Sequence, residues 1–136
     1  MNLEKLFKNL VLLNLIITPL LFVSFFFEPL EVTNVSDTFD LTIFGDTVSS
    51  IIGFTFAAIL YVIAYIVALI LLYRFVNFGK KLFLILFILS FVILLLSGPS
   101  ITTNFVMFLE YLMAATDGAI LVLLYFTPIK DKFNLN

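Results

Sequence analysis

The chain has 136 residues, 63% of them hydrophobic and 12% charged, with seven basic and nine acidic side chains for a net charge of -2. A soluble domain carries about 25% charged residues. A globule this small could not hide the apolar surplus behind a mean hydropathy of +1.25, so a lipid bilayer is the expected solvent. With no cysteine and no histidine, disulfides, the usual metal and haem ligands and the familiar nucleophile–base pairs are excluded, and there is no basic patch for nucleic acid.

The elements follow in chain order as one membrane domain, residues 1–136. The first apolar run is Leu6–Phe27, interrupted by Asn14, Thr18, Pro19 and Ser24, with Lys5 and Lys8 at its start. Pro19 is expected to kink this helix and free the carbonyl of Leu15. The run exceeds a signal-peptide core and no small-residue cleavage site follows it, so it reads as an uncleaved span.

Loop 28–47 carries Glu28, Glu31, Asp37, Asp40 and Asp46 and no basic residue. Its acids do not match the spacing of a calcium loop and read as a solvated face. Phe39, Leu41, Ile43 and Phe44 interleave with polar residues there, as in a short interfacial or partner-docking element. Asn34-Val35-Ser36 fits a glycosylation sequon, which has meaning only in a eukaryotic source.

The second span is Val48–Tyr73, with a face of small residues at Gly53, Ala57, Ala64 and Ala68 and Tyr61 on its edge. Arg74, Lys80 and Lys81 separate it from the third span, 82–97, whose apolar part Leu82–Leu96 is the shortest at about 22 Å. Ser97-Gly98-Pro99-Ser100 reads as a tight turn. The fourth span, Thr103–Thr127, stops at Pro128 and is followed by Lys130 and Lys132. All seven basic residues lie at the termini or in the 74–81 loop, so the positive-inside rule places both termini and that loop in the cytoplasm. The expected fold is all-α: a polytopic membrane protein with an antiparallel four-transmembrane-helix bundle, N-in and C-in, and an acidic outer loop.

Glu110 and Asp117 lie inside the fourth span on one helical face, roughly 10 Å apart along the axis. A carboxylate near the midplane costs about 2.5 kcal/mol or more on insertion scales, so both need partners or a purpose. Counting depth from the outer ends groups the polar side chains in two layers, Asp117 with Asn14 and Tyr61, and Glu110 with Ser90 and Thr18. As packing devices, a neutral Asp117 would donate to Asn14 or Tyr61 and fix helix register, since desolvation disfavours the charged form. As functional groups, the acids would form a proton or cation relay or receive a positive group from a partner. Ala114 with Gly118 and Ala115 with Ala119 are small-xxx-small pairs that suit close helix approach, as do Gly53, Ala57 and Ala64 of the second span.

The stretch from Gly98-Pro99-Ser100 through Asp117-Gly118-Ala119-Ile120-Leu121 to Tyr125-Phe126-Thr127-Pro128 resembles the C-terminal part of small, uncharacterised four-span bacterial inner-membrane proteins. In those, a D-G-x-I-L segment precedes a Y-x-[ST]-P end and a short basic tail. The resemblance covers roughly the last forty residues; it implies a bacterial inner membrane and supplies no activity. The glycine-rich motifs of the dual-topology fluoride channels are absent. So is the intramembrane first-helix glutamate of the small multidrug transporters.

No enzyme chemistry, cofactor or metal site is expected. The first functional expectation is a small accessory or interaction protein that assembles with itself or with a membrane partner, immunity-type protection included. The second is a small oligomeric channel or proton-coupled carrier that uses Asp117 and Glu110.

Overall fold

In the computed structural model, residues 2–24, 48–96 and 102–133 are described, with side chains for 2–24, 56–93 and 102–133. Leu3–Ser24 form α1, Val48–Tyr73 α2, Asn77–Leu96 α3, Asn104–Phe126 α4 and Ile129–Lys132 the short α5. No strand occurs among the described residues. Three stretches, Leu3–Ser24, Phe56–Tyr73 and Asn104–Phe126, are long and apolar enough to cross a membrane. Loop 28–47, the 97–100 turn and the sequon at Asn34 lie outside the described residues.

Helix ends are set by local chemistry. The Asn2 Oδ1 accepts from the backbone N–H of Glu4 at 3.1 Å and of Lys5 at 3.4 Å, satisfying orphan donors at the start of α1. Thr103 does the same for α4, accepting from Val106 N. Past the last turn of α4, the Thr127 hydroxyl donates back to Leu123 O at 2.6 Å and accepts from Ile129 N at 3.3 Å. Pro128 then redirects the chain into α5. α1 continues through Pro19 without interruption, and the Thr18 hydroxyl bonds back to Asn14 O at 2.8 Å.

α1 packs against α4 and against α2, and α2 packs in turn against α3. Between α3 and α4 contact is slight among the described residues. The buried residues recur at helical spacing: Phe7, Val11, Asn14 and Thr18 on α1, Tyr65, Ala68, Leu69 and Leu72 on α2, and Asp117, Ile120 and Leu124 on α4. The opposite faces expose large apolar side chains, among them Ile16, Phe78, Phe108 and Phe126. Water would penalise this outer surface and lipid would not.

The start of α1, the α2–α3 turn and the end of α4 meet at one end of the bundle. Phe75 stacks on Phe7 with ring centroids 5.6 Å apart, and Phe133 meets Phe75 edge-on at 5.3 Å. Lys8 Nζ and Lys132 Nζ sit 5.3 and 5.6 Å from the Phe75 ring. Both lysines pair with Glu4, Lys8 at 3.0 Å and Lys132 in direct contact. Arg74, Lys80, Lys81 and Lys130 belong to this same basic end, set by their places beside the turn and after α4.

The α2–α3 turn is tighter than the sequence suggests. Val76 N bonds Leu71 O at 2.9 Å and Phe75 N bonds Leu72 O at 3.0 Å, the pattern of a Schellman cap. Phe75 takes the left-handed position of that cap, with φ 58°. Glycine is usual there, and a phenylalanine costs about 1–2 kcal/mol in backbone strain, offset here by its aromatic contacts. α3 therefore begins at Asn77 and not at Leu82. Gly79 allows it: a Cβ there would lie 2.5 Å from Leu71 Cβ.

Candidate functional site: a polar clamp across three helices

Three of the helices each send polar side chains to one buried point. α1 supplies Asn14, fully buried because it falls on the same stripe as Phe7, Val11 and Thr18. α4 supplies Asp117, 7% exposed, and its neighbour Thr116. α2 supplies Tyr65, which shares a face with Ala68, Leu69 and Leu72 and is 1% exposed.

The Asp117 Oδ1 accepts two hydrogen bonds of 2.5 Å, one from the Tyr65 hydroxyl and one from Asn14 Nδ2. Asn14 Nδ2 also lies 3.3 Å from the Tyr65 oxygen. The other side of the Asn14 amide, Oδ1, accepts from the Thr116 hydroxyl. That hydroxyl has two alternative acceptors in its own helix, Met113 O at 2.9 Å and Leu112 O at 3.0 Å. Asn14 thus uses both ends of its amide on α4 and joins α4 to α2. No buried polar side-chain atom among the described residues is left without a partner.

All the basic residues stand at the basic end, so none neutralises Asp117. Its stabilisation comes from oriented donors, and such bonds strengthen where water is excluded. Among the described residues no cluster of acids could hold a metal. The arrangement can fix the mutual rotation and height of three helices. Its one titratable acid can also hold a proton.

The sequence-derived site is rearranged in several respects. Asn14 and Asp117 come together. Tyr61, expected beside Asp117, instead sends its hydroxyl to Leu86 O on α3 at 3.3 Å and lies beside Ser90. Tyr65, one turn along, takes the place at Asp117. Counting from the outer end of α2 caused this shift; counted from the basic end, Tyr65 and Asp117 are at nearly equal depth. Thr116 was not singled out, although a hydroxyl next to an intramembrane acid was a usable signal.

Of the second layer, Ser90 and Thr18 bond within their own helices. The Ser90 hydroxyl donates to Phe87 O at 2.7 Å, Thr18 serves Asn14 O, and Glu110 is exposed on α4. The small residues pack only in part as expected, with Ala68 fully buried. Ala57 and Ala114 are exposed, and a Cβ on Gly118 would meet nothing within 4 Å. Drawing Asp117 to Asn14 and Tyr65 turns α4 so that Ala114 and Gly118 fall on its rim. Ala64 is partly buried against the core; the surroundings of Gly53 lie outside the described residues.

A small cavity of about 100 Å³ borders the clamp, lined by Thr18, Leu21, Phe22, Tyr61, Tyr65 and Met113, with Val62 at its edge. Comparison with protein-family models, with curated proteins and with solved structures gives no match to this chain.

Proposed function

We propose that the chain is a small integral membrane accessory protein that assembles with itself or with a membrane partner. In this reading it is a four-span bundle of a bacterial inner membrane with both termini in the cytoplasm. Immunity-type protection against a membrane-targeting toxin belongs to this class. The observation that carries the proposal is the use of Asp117: its Oδ1 accepts from Tyr65 and Asn14, and the site is nearly sealed by packed side chains. An acid held this way sets helix register, which leaves recognition to the outer faces and to loop 28–47.

The second reading, an oligomeric channel or proton-coupled carrier using Asp117 and Glu110, draws support from the cavity that reaches Tyr65. It is large enough for a few waters. That would put water one hydroxyl away from Asp117.

Reconstitution separates the two. The accessory reading expects liposomes bearing the protein to pass protons and alkali cations no faster than protein-free liposomes. It also expects replacement of loop 28–47 by a neutral linker to abolish partner capture by in-membrane crosslinking. Wild-type flux that Asp117→Asn abolishes in a folded protein would overturn the accessory reading in favour of the carrier.

A further inference from the structure

Among the described residues α3 and α4 meet only slightly, which leaves a cleft with unlike walls. On α3, Lys80, Leu84, Phe87 and Phe91 recur at i, i+4, i+7 and i+11, and so share one face; Phe87 and Phe91 meet edge-on at 5.0 Å. On α4, Ala114, Gly118, Leu121 and Tyr125 recur with the same period. The walls are set at one level where Lys80 Nζ lies 4.5 Å over the Tyr125 ring. Above that contact Ala114 is exposed and Gly118 has open space beside it.

We propose that this cleft seats one acyl chain of an anionic glycerophospholipid, with the lipid phosphate on Lys80. Charge complementarity argues for that occupant. Lys80 enters no ion pair among the described residues, where Glu4 engages only Lys8 and Lys132. Its ammonium therefore sits at the mouth of an apolar cleft with donors to spare, and basic pockets between membrane helices suit anionic headgroups. The proposal is independent of the accessory reading, since a lipid seat would serve a carrier equally.

Native mass spectrometry of the full chain in non-ionic detergent, offered phosphatidylglycerol or phosphatidylcholine with identical acyl chains, tests it. The expected result is one retained phosphatidylglycerol per chain in preference to phosphatidylcholine. Lys80→Gln should lower that preference about fivefold, while Lys81→Gln and Lys130→Gln change it less than twofold. Gly118→Leu should expel lipid of either headgroup, with Ala114→Leu as a second block should Gly118→Leu lose helicity by circular dichroism. Equal losses in all three lysine variants would mean diffuse surface attraction and overturn the proposal. So would unchanged lipid retention in both Lys80→Gln and the cleft-blocking variant, or a wild-type dimer that the cleft block dissolves, which would give the cleft to a second copy.

Discussion

Asn14 is the side chain through which α1 engages both α4 and α2, and its removal exposes how much the clamp contributes. Asn14→Ala removes one of the two donors to the buried Asp117, a loss of about 1–3 kcal/mol, while the Thr116 hydroxyl falls back on the carbonyls of Leu112 and Met113. Tyr65→Phe removes a single donor to Asp117 and should cost about 1 kcal/mol. Tyr61→Phe should cost less, because that hydroxyl serves a backbone carbonyl at 3.3 Å from a half-buried position. Midpoints of SDS-induced unfolding would rank the three; equal costs for Tyr61→Phe and Tyr65→Phe would contradict the geometry described. At this scale the sequence made Asn14 and Asp117 conspicuous because polar atoms are costly in lipid. It could not choose between Tyr61 and Tyr65, because the choice depends on helix offset, and apolar sequence marks the outer end of a long helix poorly.

Two glycines show how differently elements use the same residue. At Gly79 the α3 backbone passes so close to Leu71 that a methyl group has no room, so Gly79→Ala should destabilise the α2–α3 hairpin by about 1–3 kcal/mol. At Gly118 the space is open, and Gly118→Ala should be neutral or stabilising by up to about 1 kcal/mol through helix propensity. Thermal unfolding in detergent, followed by helicity, would show opposite signs for the pair. The composition of the spans revealed the helices themselves, and Thr103 and Pro128 marked the ends of the last one. The start of α3 was not legible. Lys80 and Lys81 read as loop residues, yet lysine stems can lie along a helix while their ammonium groups reach outward. Phe75 in a position that favours glycine gave no local sign of a turn, because its contacts with Phe7 and Phe133 come from distant parts of the chain.

For the whole molecule, the gathering of the start of α1, the α2–α3 turn and the end of α4 at one end fits the topology proposed from the lysines and arginine. A chain without native cysteine allows a clean test. In intact bacterial cells a membrane-impermeant maleimide should label Asp40→Cys, and should reach Lys130→Cys only after permeabilisation. The reverse pattern would invert the bundle. Class was legible at this scale from composition alone, since the apolar excess left lipid as the fitting solvent. Which faces of the helices meet was not, because all of them are apolar on most sides and only a few polar atoms break the tie. That asymmetry bears on how the bundle is made. Asn14 and Asp117 are 103 residues apart, so during synthesis α1 enters the bilayer long before its partner on α4 exists. Until then Tyr65 of α2 is the partner within reach of the amide, and the clamp closes only when α4 arrives. Closure of the clamp is therefore a late event in the making of the bundle, reached only after α1 and α2 are in place.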